Sequence, residues 1–227
     1  MKKKIKDIVT HSYNKALAER KEFNLNGALI QIVDPLTRNI NIPAIVSFLT
    51  KKIPVEILNL VDVYYIGNFD VFKKRNTNAA YMDGAIYLSS DQDTEKDLLD
   101  DIIHELGHAL IEKDNINIFG DGLIKREFMA KKTALKRILR SKGYDIPKFF
   151  NTTSFSPEMD DFLYKEIGYE TLKPMINGLF MNPYAITSLE EYFTSGMEDY
   201  FLGKVSLLKS ISPALFTKLE SYDELEY

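Results

Sequence analysis

Two patterns of hydrophobic and polar residues alternate along the N-terminal half of the chain. Apolar residues three and four positions apart predict an amphipathic helix over residues 1–22. Short runs rich in β-branched and aromatic residues predict strands over residues 27–33, 63–67 and 85–88. Two short helices, each begun by a proline, are expected near residues 43–51 and 54–60. The polar stretch over residues 73–78 is expected to form a loop.

The segment after residue 93 carries the strongest helical pattern. Thr94 and Asp97 are spaced as in a capping box. The apolar residues that follow form one stripe at helical spacing: Leu98, Leu99, Ile102, Ile103, Leu106 and Leu110. Further helices are expected over residues 122–141, 157–167, 188–202 and 213–221. The pattern predicts an α+β fold in a single domain over 1–227, with a small mixed N-terminal sheet in one lobe (1–112) and a mainly helical second lobe (113–227).

Composition and charge narrow the classes of function. The 227 residues are 45% hydrophobic and 27% charged, with no cysteine, so any metal site must use His, Asp or Glu. The net charge of -4 is too balanced to indicate that the whole protein binds nucleic acid or a membrane. The basic start, Met1-Lys2-Lys3-Lys4, is followed by no apolar signal region, and no stretch is apolar enough to cross a bilayer. We therefore expect a cytoplasmic protein, or one carried in a virion or released by lysis.

The chemistry is concentrated in residues 104–108, which read H-E-x-x-H. His104 and His108 lie four apart, so on a helix both side chains project from one face and can bind one zinc ion. Glu105 stands beside them, where its carboxylate can take a proton from a zinc-bound water. Gly107 leaves room for another part of the chain to approach the helix closely. The motif therefore predicts a Zn2+ site with Glu105 as a catalytic residue.

A catalytic zinc site needs a third protein ligand. His11 belongs to the predicted N-terminal helix and is expected to be an ordinary surface histidine. The acidic residues of the predicted helix over 188–202 are better candidates, and helix phase alone does not separate Glu190, Glu191 and Glu198. The same pattern is also typical of a core helix with one solvated acidic side.

His104–His108, Tyr184 and Glu191-Tyr192-Phe193 together resemble the gluzincin metallopeptidases related to the catalytic domain of anthrax lethal factor, a group that includes the Pro-Pro endopeptidases. The resemblance covers roughly residues 54–112 and 180–221. It implies a zincin-like metallopeptidase fold in which Glu191 is the third zinc ligand. Tyr184, seven residues before that glutamate, would stabilise the oxyanion of the tetrahedral intermediate.

The resemblance also implies a substrate and a mechanism. Ala85, Ile86 and Tyr87 would belong to an edge strand that pairs with an extended peptide or protein substrate. The protein would be a zinc-dependent endopeptidase in which Glu105 transfers the protons. The sequence differs from the family in three respects, of which the first is that the best-known relatives are secreted whereas no signal peptide is expected here. A helical insert occupies residues 122–170, and Ser195 stands where the family often has an acid that orients a histidine ligand, so that Asp100, Asp101 or Glu198 would have to supply it.

Residues Lys125 to Lys142 of the insert hold eight lysines and arginines against one glutamate. We expect the charged side of this helix to face solvent and its apolar side to pack into the protein through Leu123, Leu135, Ile138 and Leu139. The alternative is that the charged side binds nucleic acid or an acidic partner. Two other functions are also compatible with the sequence. The protein could be a structural component of a phage virion with a zincin fold, such as a ring or connector, in which the metal is structural or vestigial. It could also be an intracellular peptidase that cleaves a regulatory protein.

Overall fold

The computed structural model describes residues 21–75 and 77–224, and these residues have an α+β architecture. The helix expected over residues 1–22, including His11, falls almost wholly outside the described residues. At its end, Glu22 already belongs to the first strand.

One mixed sheet of five strands forms the N-terminal half of the described residues. Its strands are β1 (Glu22–Leu25), β2 (Ala28–Ile32), β3 (Val63–Gly67), β4 (Ala79–Met82) and β5 (Ala85–Ser89). The strand order is β1-β2-β3-β5-β4. The three central strands are parallel, and the two outer strands are antiparallel to their neighbours. The three predicted strands are therefore confirmed, and each lies inside the sheet.

Two tight turns each connect an outer strand of the sheet to its antiparallel neighbour. Asn26 and Gly27 connect β1 to β2, and Asp83 and Gly84 connect β4 to β5. All four residues have positive φ, between 52° and 108°. Two-residue Asn-Gly and Asp-Gly loops favour this conformation because it matches the twist of an antiparallel hairpin.

Three helices lie between the strands of the sheet, and seven more follow it in the described residues. The first three are α1 (Ile42–Lys52), α2 (Val55–Leu58) and α3 (Asp70–Arg75). The others are α4 (Glu95–Phe119), α5 (Leu123–Ser141), α6 (Pro157–Asp161), α7 (Tyr169–Ile176), α8 (Leu189–Phe201), α9 (Val205–Ile211) and α10 (Pro213–Asp223). A π-helical turn, Phe162–Ile167, directly follows α6. Helix α3 shows that the loop expected over residues 73–78 is wrong at its start, because the helix continues to Arg75.

Helix α4 begins as predicted and carries the H-E-x-x-H residues through the core. The Thr94 side chain accepts a hydrogen bond from the backbone of Asp97, whose carboxylate accepts one from the backbone of Thr94. Leu98, Ile102 and Leu106 are fully or almost fully buried. The helix is kinked at Asp114, whose φ of −136° is not helical.

Helix α8 crosses α4 at Gly107. A Cβ atom at position 107 would lie 2.9 Å from Thr194 Cγ2 and 3.2 Å from Thr194 Cα. Such distances are shorter than ordinary carbon contacts, so only glycine permits this approach. The close crossing brings the two helices that carry the candidate ligands together.

The basic helix is confirmed as α5, but not all of its cations are solvated. Lys132 is fully buried, and its Nζ donates to the carbonyl of Thr152 at 3.1 Å. Lys131 is also buried and donates to Ser212 at 2.5 Å. Leu123, which was expected to pack beneath the helix, is 49% exposed.

The described residues contain no helix that is both long enough and apolar enough to cross a membrane.

Candidate metal centre

Three side chains from α4 and α8 converge on one point. His104 and His108 project from the same face of α4, with ring centroids 5.0 Å apart. Glu191 reaches them from the first turn of α8, and one potential ligand atom from each residue lies within 4.8 Å of the other two. Among residues 21–75 and 77–224, this is the group of histidines and carboxylates with the spacing of a metal site.

The distances fit a tetrahedral zinc site. Two ligand atoms about 2.1 Å from a tetrahedral centre are about 3.4 Å apart. Glu191 Oε2 lies 3.0 Å from His104 Nε2, and Glu191 Oε1 lies 3.6 Å from His108 Nε2, on either side of that value. Two imidazole nitrogens and one carboxylate oxygen are also the donor set of a catalytic zinc with one open position. The residues present therefore match the donor set of a zinc ion, and their ligand atoms lie close enough together to share one.

A capped helix start positions Glu191. The Ser188 side chain accepts a hydrogen bond from the backbone N–H of Glu191 at 3.0 Å, which makes Ser188 the N-cap of α8. A carboxylate in the first turn also interacts favourably with the positive end of the helix dipole. Glu190, by contrast, is exposed. The sequence left Glu190, Glu191 and Glu198 open as third ligand. Of these, Glu191 lies against both histidines, and Glu198 contacts the Nδ1 atom of His104.

Glu198 contacts the other side of the His104 ring. Its Oε1 lies 2.5 Å from His104 Nδ1, so that ring nitrogen is occupied and Nε2 faces Glu191. A carboxylate on Nδ1 fixes the tautomer and orientation of a metal-binding histidine. Of the three acids considered for this role, Asp101 instead accepts a hydrogen bond from Gln92 and Asp100 pairs with Lys96. Glu198, two turns after Glu191, thus takes the place that Ser195 leaves open.

Glu105 is buried beside the histidines and bonded to the sheet. Its Oε2 accepts a hydrogen bond from the backbone N–H of Tyr81 in β4, at 2.7 Å. Burial raises the pKa of Glu105 to about 7, against the opposing effects of the His104 charge and of the Tyr81 hydrogen bond. A carboxyl group with a pKa near 7 can both accept and release a proton at neutral pH.

The two histidines have opposite electrostatic surroundings. Burial lowers the pKa of His108 to about 4, so this ring is neutral at pH 7, the form that binds metals. Burial also acts against the charged form of His104, but its hydrogen bonds to Glu191 and Glu198 outweigh this and raise its pKa well above 6.5. The pKa of Glu191 is lowered, because its hydrogen bond to His104 and the charges of both histidines outweigh burial.

Tyr184 lies on the same side of the site as the histidines. It begins a short 3-10 turn, Tyr184–Ile186, and its ring centroid is 6.0 Å from that of His104. The turn is held by Asn182, whose side chain accepts from the backbone of Ala185 at 2.8 Å. Burial raises the pKa of the Tyr184 hydroxyl, and the carboxylates of Glu191 and Asp160 raise it further, so the hydroxyl stays protonated and can donate.

The expectation that the strand over 85–88 forms the substrate-binding edge is wrong. Strand β5 pairs with β3 on one side and β4 on the other, so the backbone of Ala85, Ile86 and Tyr87 is already used within the sheet. The Ile86 side chain is fully buried as well. The edge strand near the metal site is β4, and the backbone N–H of its Tyr81 donates to Glu105. The Asp-Gly turn between the two strands is the sequence signal for β4.

No protein-family profile matches the sequence, and neither a curated protein nor a solved structure matches the chain. The resemblance to gluzincins therefore rests on the residues of the two short motifs.

Proposed function

We propose that the protein is a zinc-dependent endopeptidase with a zincin-like fold. The observation that carries the proposal is the convergence of His104, His108 and Glu191, with Glu105 buried beside them. The donor set leaves a fourth tetrahedral position open, which is the arrangement of catalytic rather than structural zinc. A bound zinc would act as a Lewis acid and lower the pKa of its water to about 7.

The protein side chains have separate roles in this mechanism. Glu105 accepts the proton of the attacking water and then delivers it to the leaving amine. The protonated hydroxyl of Tyr184 donates a hydrogen bond to the oxyanion that develops on the scissile carbonyl. Glu198 holds the His104 ring so that Nε2 is directed at the metal.

An extended peptide is the substrate that suits the edge strand β4. A peptide backbone can add to an exposed strand through main-chain hydrogen bonds, and its side chains then alternate between the two faces. Because Tyr81 in β4 contacts Glu105, a peptide on this edge passes next to the proposed proton acceptor. A peptide bound in this way would have its backbone, rather than one of its side chains, next to Glu105.

Elemental analysis of purified variants tests the metal site. We expect about one zinc per chain in the wild type and its loss or strong weakening in His108→Ala and Glu191→Ala. Glu190→Ala is the matched control, because the same side chain is removed from the neighbouring, exposed position. Zinc retained in Glu191→Ala would mean that another residue is the third ligand.

Peptide-library cleavage then tests the activity. Glu105→Gln should keep the zinc and lose cleavage, since it removes the proton acceptor and none of the three ligands. Undiminished cleavage by Glu105→Gln would contradict the mechanism. A wild type that binds zinc but cleaves no peptide would favour the alternative of a structural virion component.

A further inference from the structure

The hydrogen-bond ladder between β4 and β5 fixes the direction of each backbone group of β4. The N–H of Ser89 donates to the carbonyl of Asn78 at 2.7 Å, and the register of the two strands, continued by one residue, places Asn78 opposite Ser89. In an antiparallel pair, residues that bond to the partner strand alternate with residues whose N–H and C=O point away from it. Counted from Asn78, Ala79 and Tyr81 therefore direct these groups away from β5, towards the outer edge of the sheet.

The candidate proton acceptor occupies one of these outward N–H groups. Glu105 Oε2 accepts the hydrogen bond of the Tyr81 N–H at 2.7 Å. No other hydrogen bond of the Glu105 carboxylate is found among residues 21–75 and 77–224. Glu105 is also buried, so this bond offsets part of the loss of solvent around its carboxylate. The carboxylate therefore lies where a carbonyl of an added strand would bind.

This contact makes Glu105 a competitor of any peptide that adds to β4. The edge strand of a sheet presents unpaired backbone groups to which other strands can bind. With the Glu105 carboxylate on the Tyr81 N–H, an added strand finds that donor already used. Because a carboxylate is a stronger acceptor than a neutral carbonyl, the strand gains the Tyr81 hydrogen bond only by displacing a favourable contact.

A productive exchange keeps both groups paired. When a peptide carbonyl accepts from the Tyr81 N–H, this donor stays satisfied, and only the Glu105 carboxylate loses its partner. An unpaired buried carboxylate is costly, so it must find another donor. In the proposed mechanism that donor is the water that attacks the scissile bond. Peptide binding and the arrival of the proton acceptor at this water are then one event.

We propose that Glu105 is held on the Tyr81 N–H in the peptide-free protein and is released when a backbone carbonyl of an extended substrate takes over this N–H. The Tyr81 backbone is then a positioning group, since it acts through Glu105. This release rests on the proposed peptidase function and narrows its substrates to peptides long enough to pair with β4. A substrate without a carbonyl opposite Tyr81 leaves Glu105 on the strand and is cleaved slowly.

Peptide affinities test the competition without any cleavage. The probe is a cleaved library peptide whose scissile peptide unit is replaced by an (E)-alkene, so that the zinc-loaded wild type binds it without hydrolysis. In calorimetric titrations, Glu105→Ala should bind this probe about 5-fold more tightly than the wild type, because the Tyr81 N–H has lost its competing acceptor. Glu105→Asp keeps the charge on a side chain one methylene shorter, which no longer reaches Tyr81. It should gain similarly and serves if Glu105→Ala does not fold.

A set of analogues, each with one further peptide unit replaced by an (E)-alkene, locates the contact. The alkene is planar like the peptide unit but has no carbonyl. For the analogue that lacks the carbonyl opposite Tyr81, the wild type and Glu105→Ala should bind within about 2-fold of each other. In the cleavable peptide, the same replacement should lower kcat about 10-fold, because Glu105 stays on the strand.

The analogue altered two residues away is the matched control. It lacks the carbonyl opposite the N–H of Ala79, whereas the bond to Glu105 comes from Tyr81. It should bind both proteins more weakly, and Glu105→Ala should keep its advantage. Equal affinity of the wild type and Glu105→Ala for the probe, an advantage that survives in every analogue, or an unchanged kcat would each overturn the release and leave the peptidase intact. A zinc-loaded wild type that cleaves no peptide would overturn the peptidase and the release with it.

Discussion

A methyl group added at Gly107 tests how closely the geometry of the metal centre depends on the crossing of α4 and α8. Gly107 precedes the ligand His108, and the new Cβ would lie 2.9 Å from Thr194 Cγ2 and 3.2 Å from Thr194 Cα. Ordinary carbon contacts begin near 3.4 Å. The Thr194 methyl group can rotate away, but its Cα belongs to the backbone of α8, three residues after Glu191.

Two opposing effects set the change in the free energy of unfolding of Gly107→Ala. Alanine is favoured over glycine inside a helix by about 1 kcal/mol. Overpacking of a tight contact costs about 1–3 kcal/mol. We therefore expect a net destabilisation of at most about 2 kcal/mol, which a folded domain tolerates.

The effect on zinc should be larger than the effect on stability. To relieve the contact, α8 must move by about 0.2–0.5 Å, and Glu191 moves with it. Metal–ligand distances tolerate deviations of only about 0.2 Å. We expect Gly107→Ala to bind zinc about 10- to 100-fold more weakly, a loss comparable with that seen when a residue that orients a ligand is removed.

The assay is a zinc titration against a chelator of known affinity, combined with urea unfolding of the same samples. Gly196→Ala is the matched control, because Gly196 is also a helical glycine in a close contact. Gly196 lies in α8 itself, but the atoms nearest to its Cβ would all belong to the side chain of Leu215 in α10, which can rotate without moving α8. The control should lose stability and keep zinc affinity. Wild-type zinc affinity in a folded Gly107→Ala protein would refute the idea that this crossing sets the ligand distances.

Two further predictions concern single side chains. Glu198→Gln should weaken zinc binding about 10-fold, measured by the same titration, because the neutral amide orients His104 less strongly than a carboxylate does; an unchanged affinity would contradict the positioning role of Glu198. Burial lowers the pKa of Lys132 to about 8, below the value of about 10.4 in an unfolded chain. Between these pH values the unfolded state binds more protons, so stability should rise from pH 8 to pH 10. Lys132→Met should reduce this rise in urea unfolding, and an identical slope in both proteins would contradict the assignment.

The sequence was most informative where local and long-range signals agree. Helix α4 has a capping box, an apolar stripe and a metal motif on one continuous segment, and all three indicate the same helix. The structure shows the capping box with both of its hydrogen bonds and buries the stripe. Local chemistry was therefore sufficient to predict this element.

The outer strand β4 could not be predicted from local composition. Strand β4 reads Ala-Ala-Tyr-Met and has no β-branched residue, so its composition is not typical of a strand. Its pairing with β5 depends on the Asp83-Gly84 turn, a signal that predicts a hairpin when both flanking segments are examined. Because β4 was not predicted, the strand over 85–88 was expected to be the edge of the sheet. The substrate-binding edge was therefore placed on β5 instead of its neighbour β4.

The role of Glu198 depends on a distance that no sequence pattern contains. Glu198 lies seven residues after Glu191, two helical turns along the same face of α8. Whether it reaches His104 depends on the position of α4 relative to α8, which the contact at Gly107 determines. Asp100 and Asp101 are closer to His104 in sequence, yet their side chains bond to Lys96 and Gln92.

The charges around the candidate ligands bear on the proposal that a divalent cation binds between these two helices. Glu105 and Glu191 are buried, and Glu198 and Asp101 are half-buried close to His104. Burial is the largest cause that raises the pKa of Glu105, Asp101 and Glu198, so each of these carboxylates is costly to ionise there. His108 is neutral at pH 7 because burial lowers its pKa to about 4, and His104, whose pKa its two carboxylate partners raise, supplies one positive charge. A bound zinc would supply two positive charges among the carboxylates. The excess of carboxylates that is costly for the metal-free protein therefore supports the proposed metal site.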